Sequence, residues 1–208
     1  MAYLEQFKVD DISLENSQFT FILESPHTHE IDAGFPAAGE TGVWMSKVLF
    51  NKDVSLGKLI KINSKSTPRV SILNSSQFPL QKSCYNPLEL TGEFLSFLGI
   101  KDEYDHDIYK EKVKDKLKSK VGKEALLNFK NRLLNNIASC TQLKIIVFGV
   151  IAQCFFEEAT QKQGSLTKYK EINWEGNYFS VIYAYHPSPK SGHWKKEKNK
   201  AHLRSMIE

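Results

Sequence analysis

The sequence predicts an α/β domain: three layers, with helices on both sides of a central, mostly parallel four-stranded sheet. Three observations carry that prediction. Four short apolar runs rich in β-branched and aromatic residues alternate with segments of helical periodicity, and such alternation builds parallel sheets through right-handed crossovers. One run, Leu143-Lys-Ile-Ile-Val-Phe-Gly149, is almost continuously apolar, the pattern of a strand buried on both faces. The length of 208 residues suits one domain. No internal repeat, low-complexity tract or linker interrupts it, so residues 1–208 are read as a single domain.

The first strand is Phe19-Thr-Phe-Ile-Leu-Glu24. Residues 41–50 follow with Val43, Met45, Val48 and Leu49 at helical spacing, and the polar, lysine-rich residues 57–68 read as a loop insertion. The second strand is Arg69-Val-Ser-Ile-Leu-Asn74, and residues 89–98 carry Leu90, Phe94, Leu95 and Leu98 in a helical pattern. A long helical segment, residues 107–139, is expected to break or bend at Gly122. Its second half places Leu126, Phe129, Leu133 and Ile137 on one face. The third strand precedes a helix over residues 151–160; the fourth, Tyr178-Phe-Ser-Val-Ile-Tyr-Ala-Tyr185, precedes one over residues 194–207.

Hydrophobic residues at 41% and charged residues at 25% exclude wholesale disorder. A chain of this size hides roughly 70% of its unfolded surface, so its core needs no staples. Cys84, Cys140 and Cys154 are odd in number and widely spaced. They form no disulfide framework and no CxxC pair, which points to a reducing cytoplasm. No apolar run approaches the ~20 residues of a membrane span. Residues 1–10 lack the basic start and apolar stretch of a signal peptide. A cytoplasmic monomer without membrane contact is the expectation.

Net charge is only +4, but its distribution is uneven. From Lys190 to Glu208 there are six basic residues (Lys190, Lys195, Lys196, Lys198, Lys200, Arg204) and two acidic ones. This cluster follows a His-Pro-Ser-Pro turn, which suits a phosphate-facing surface. A second cluster over residues 110–123 contains Glu111 and Asp115 and reads as a solvated helix face.

In such folds ligands bind beyond the carboxyl ends of the strands. There the sequence places Glu24-Ser-Pro-His-Thr-His-Glu30, Asn74-Ser-Ser-Gln-Phe-Pro79, Gly149 before a helix, and His186-Pro-Ser-Pro-Lys-Ser-Gly-His193. Four strand ends thus deliver a carboxylate, an amide, a close backbone approach and an imidazole to one edge.

This set resembles the uracil-DNA glycosylase superfamily. His186-Pro-Ser-Pro-Lys-Ser191 is similar to that family's second motif, HPSPLS, with Lys190 in the leucine position. Leu23-Glu-Ser-Pro-His27 loosely matches the first motif, GQDPYH or GEAPG. Gly34-Phe-Pro-Ala-Ala-Gly-Glu-Thr-Gly42 is closer to the G-x-P-F-V-G-x-A-G run of the thermophile-type branch. Asn74 matches the pyrimidine-reading asparagine, and Val147-Phe-Gly-Val-Ile-Ala152 the strand–glycine–helix element. The resemblance spans residues 19 to about 195 in the correct order.

It implies a monofunctional DNA glycosylase that flips a base out of the stack, because the glycosidic bond is unreachable inside a duplex. Glu24 would orient or polarise the attacking water; a capping or salt-bridged carboxylate is the structural alternative. Ser25 replaces the aspartate of GQDPYH and cannot act as a base unaided. His186 would stabilise charge developing on the pyrimidine O2, a role worth a few kcal/mol. Asn74 offers a donor and an acceptor in one plane and can read a pyrimidine edge. Backbone N–H groups near residues 25–27 and Gly149 would receive phosphate or base oxygens. Lys190 would be the wedge filling the flipped nucleotide's place, with Ser188, Ser191 and Lys195 on the DNA backbone. Trp194 is read as a core anchor at a helix start.

Two departures from the family bear on substrate. Three scattered cysteines cannot hold the thermophile-type iron–sulfur cluster, so no cofactor is expected. The aromatic residue that stacks on uracil corresponds to Ala37, and the residue that blocks a C5 substituent corresponds to His27. An enlarged pocket with a retained asparagine favours a bulky pyrimidine, such as the glucosylated hydroxymethylcytosine of phage DNA removed by antiphage members. The polar residues His27, Thr28, His29, Glu30 and Asp32 would then meet the sugar substituent. Plain uracil is the alternative. Two rivals stand beside these: a metal-dependent hydrolase using His27, His29, Glu30 and Asp32 with His186 and His193, and a catalytically inactive DNA-binding member.

Overall fold

The computed structural model describes residues 2–62, 69–101, 109–188 and 192–207. Helix α1 (Ala2–Glu5) precedes strand β1 (Phe19–Leu23), followed by α2 (Thr28–Ala33), α3 (Glu40–Phe50) and α4 (Leu56–Ile62). Strand β2 (Val70–Asn74) leads through two 3₁₀ turns to α5 (Gly92–Leu98), α6 (Tyr109–Leu117) and α7 (Lys120–Ala138). Strand β3 (Lys144–Phe148) runs into α8 (Val150–Thr160). A hairpin of β4 (Lys170–Trp174) and β5 (Asn177–Ala184) then leads to a 3₁₀ turn (His193–Lys195) and α9 (Glu197–Ser205).

The sheet has five strands in the order β2-β1-β3-β5-β4. The first four are parallel, and β4 pairs antiparallel with β5 at the edge. Four strands were expected; β4 is the addition. Lys170, Glu171 and Asn173 face out while Ile172 and Trp174 are buried. Only two of its five residues are apolar, so it lacks the signal the other strands carry. The β4–β5 turn is Glu175-Gly176, with φ +51 and +77, the two left-handed residues of a type I′ hairpin.

Alternate strand residues feed two cores. Ile22, Leu73, Ile145, Val147 and Val181 pack under α6, α7 and α8 with Val113, Phe129, Leu133 and Phe155. Phe21, Ile72, Ile146, Phe148 and Ile182 pack under α3, α4 and α9 with Met45, Val48, Leu56, Ile60 and Leu203. The period of two follows from the pleat, and helices covering both faces explain why β1 and β2 are buried at every position. The outer side of β2 is partly closed by an antiparallel bridge between Ile12 and Ile72.

Three helical expectations shift. The polar stretch after residue 56 begins as helix α4, with Leu56, Gly57, Leu59 and Ile60 buried; residues 63–68 lie outside the described residues. The long helical segment breaks before Gly122: Ser119 caps α7 by accepting from the Gly122 N–H at 3.1 Å. Gly122 has a different task, since a Cβ there would sit 2.3 Å from the Lys116 carbonyl oxygen at the end of α6. The basic residues of α6 are only partly a solvated face. Lys110 and Lys114 reach the buried Glu157 of α8 at 2.8 and 3.1 Å. Burial opposes ionisation of Glu157, but the two lysines outweigh it and pull its carboxyl below the ordinary value.

Candidate active site

The register brings the carboxyl ends of the parallel strands level: Leu23 lies beside Asn74, Ile22 beside Val147, and Phe148 beside Ala184. Strand order reverses at β1, which has β2 on one side and β3 on the other, and in open α/β sheets ligands bind beyond the strand ends at such a switch point. Glu24 stands there.

Its backbone is zipped to the segment after β2, the Ser76 N–H donating to the Glu24 carbonyl at 3.1 Å. Its side chain is 7% exposed. Oε1 accepts from the Ile151 N–H at 3.3 Å, in the first turn of α8, where the unpaired N–H groups and the helix dipole favour an anion. Gly149, at φ +85, makes this approach possible: a Cβ there would sit 2.3 Å from Glu24 Oε1. Oε2 lies 3.5 Å from Lys101 Nζ and 3.5 Å from His186 Nε2.

His186 is fixed from behind. The buried Trp194 donates its indole N–H to the His186 carbonyl at 2.7 Å, which bears out its role as a core anchor. The Ser188 N–H donates to His186 Nδ1 at 3.2 Å. An Nδ1 that accepts is unprotonated, so the neutral ring carries its proton on Nε2, the nitrogen facing Glu24. Burial holds the His186 pKa below its ordinary value; Glu24 opposes this and Lys101 adds to it. His186 is therefore neutral at pH 7, with a fixed Nε2–H donor.

Asn74 is wholly buried, and neither its side-chain oxygen nor its nitrogen has a hydrogen-bond partner among the described residues. The Ser25 hydroxyl is likewise buried and unpartnered. Each such group costs roughly 1–3 kcal/mol, so native proteins rarely keep them without a use. The Asn74 backbone is braced instead: its N–H donates to Asp11 Oδ1 at 3.2 Å, and Arg132 of α7 holds Asp11 Oδ2 at 2.6 Å and the Ser75 carbonyl at 3.1 Å. Burial of this pair raises the Asp11 pKa even beside Arg132.

Several expectations change. The Gly149 N–H is donated to the Ala184 carbonyl at 3.0 Å, and the His27 N–H to Glu30 Oε2 at 2.8 Å. Neither is left for phosphate or base oxygens. Ala37 is 3% exposed, at φ +53, and its methyl belongs to the core under α3 and α4 rather than to an open volume. Glu30 spends its oxygens on the Ala37 and His27 N–H groups, stapling the loop before α3. Among the described residues, no three His, Cys, Asp or Glu side chains are grouped to hold a metal ion. Ser188 supports His186, as described, and Lys195 is exposed. Lys190 and Ser191 lie outside the described residues.

Lys101, Asp11 and Arg132 were not singled out from sequence. Each stands in a segment with no motif, and only the folded contacts with Glu24 and Asn74 reveal them. No protein-family model matches the chain, and a search of curated proteins finds no similar sequence. The fold and site thus define an α/β protein with a five-stranded, mostly parallel sheet. Its carboxyl edge presents a carboxylate, a neutral imidazole and a buried unpartnered amide.

Proposed function

We propose that this protein is a DNA glycosylase that hydrolyses the N-glycosidic bond of an extruded pyrimidine and leaves an abasic site. One observation carries the proposal: the Asn74 amide is buried, braced at its backbone and unpartnered at both side-chain atoms. An amide so placed is matched by the adjacent donor and acceptor of a pyrimidine edge. His186 Nε2–H donates to the O2 on which negative charge develops as the base departs. Glu24, fixed by the Ile151 N–H and Lys101, sets a negative charge beside the cationic sugar and orients the incoming water. As the glycosidic bond breaks, water adds to the sugar carbon and its proton ends on the departing base; the contribution of Glu24 is electrostatic.

The substrate is a 5-modified cytosine, on the strength of the exposed polar residues His27, Thr28 and His29 just beyond β1. Uracil is the second reading, favoured by the Ala37 methyl being packed in the core, which removes the widened volume at that position. A panel of oligonucleotides containing uracil, hydroxymethylcytosine or glucosylated hydroxymethylcytosine decides between them. The readouts are alkaline strand cleavage and mass detection of the released base. Release of glucosylated hydroxymethylcytosine supports the first reading and release of uracil alone the second. No released base in any context refutes glycosylase activity.

A further inference from the structure

Two side-chain nitrogens meet one carboxylate oxygen at this site. Lys101 Nζ and His186 Nε2 both lie 3.5 Å from Glu24 Oε2. Lys101 stands just past α5 on a turn held by the Ile100 and Lys101 N–H groups, which donate to the Phe97 and Leu98 carbonyls. Leu98 and Ile100 are buried, and the lysine side chain itself is only 15% exposed. A lysine so enclosed would ordinarily turn its ammonium to water; this one is turned to Glu24.

We infer that Lys101 is a positioning residue: by holding Glu24 Oε2 it competes with His186 for the carboxylate, so that the imidazole is not drawn into a charged pair with it. The inference rests on the glycosylase reading of the site, which needs His186 neutral.

Among the described residues, the other groups around Glu24 do not replace this charge. From α8 comes the Ile151 N–H, a fixed dipole that binds the other oxygen. From the end of β5 comes His186. On the segment after β1, Glu30 and His29 interact with one another and Glu30 with Lys101, but Glu30 is committed to backbone N–H groups. Without the Lys101 ammonium, the remaining cation beside the buried Glu24 carboxylate among the described residues is a protonated His186. The ring would then lose the unprotonated Nδ1 that the Ser188 N–H requires.

The test is an NMR titration of His186 in the full-length protein without DNA, in wild type, Lys101→Met, Lys101→Arg and Glu24→Gln. In Lys101→Met the His186 protonation constant is expected to rise about tenfold, one pKa unit. Lys101→Arg restores the wild-type midpoint, and Glu24→Gln moves it the opposite way. Lys101→Gln serves if the methionine variant does not fold. A midpoint unmoved or lowered by charge removal overturns the inference. In the excision assay, the acid limb of the Lys101→Met pH profile moves upward with the His186 midpoint, and arginine reverses the change. If wild type releases no base yet His186 responds as stated, glycosylase activity falls and the Lys101 coupling stands. If wild type releases a base and His186 does not respond, the Lys101 inference falls alone.

Discussion

At the scale of single residues the site holds groups that cost stability and are kept. Replacing Asn74 by the near-isosteric leucine removes two unpartnered polar atoms from a wholly buried position. Replacement by an apolar group of similar shape is neutral to stabilising. Asn74→Leu is therefore expected to raise stability by about 1 kcal/mol in denaturant melts while abolishing base release. A loss of stability would mean that the amide has a structural partner. His186 makes a pH prediction whose sign is fixed. Its folded pKa lies below the unfolded value because burial disfavours the imidazolium. The native state thus binds fewer protons, and stability is present above the unfolded pKa and lost as pH falls through the folded one. On the proposed mechanism base release uses the neutral ring and is expected to fall over the same acidic window. Its pH–rate profile should show an acid limb centred below pH ~6.5, the ordinary histidine value, and a limb centred above that value contradicts the assignment.

Among the elements, the junction of β3 and α8 matters most. Gly149 turns the chain at φ +85 and leaves room for Glu24 against the α8 N-terminus. In Gly149→Ala the new methyl overlaps Glu24 Oε1, and the backbone there, φ +85 and ψ 162, is open almost only to glycine. The expected cost is about 1–3 kcal/mol in stability, read by thermal melting, with a loss of base release larger than that destabilisation explains. If both fall in proportion, Glu24 is not the group displaced. The same scale shows what sequence discloses. Strands β1, β2, β3 and β5 were legible because each carries a run of apolar, mostly buried residues rich in β-branched and aromatic side chains. Strand β4 was not, because an edge strand with one buried face needs only Ile172 and Trp174. Glu24, Asn74 and His186 were legible as strand-end polar residues. Lys101 was not, since its role depends on where α5 ends relative to β1, a distance no local pattern encodes. Ala37 shows the opposite error: a correspondence in a motif predicted open space, and the φ +53 turn carries its methyl into the core.

For the whole molecule, charge distribution decides how DNA would be held. In α9, Lys200 and Arg204 are engaged by Glu197 at 3.1 Å each, whereas Lys195, Lys196 and Lys198 are exposed near the His186 end of the sheet. If these three lysines meet phosphates, the log–log slope of affinity against salt should lose about one unit for each lysine changed to alanine, up to roughly three. Fluorescence anisotropy with a labelled duplex checks this, and a slope unaffected by the triple change would place the DNA elsewhere.

The segment around Ile12 has a significance beyond its single bridge to Ile72. Together with Asp11 it links the outermost parallel strand to the amide proposed to read the base, so shortening the protein from its start would do two kinds of harm. The margin of β2 would lose a guard against joining the sheets of neighbouring molecules, and Arg132 would keep a charge with no counterpart beneath Asn74. Clumping and, on the proposed function, poor recognition of the nucleobase would then arrive together.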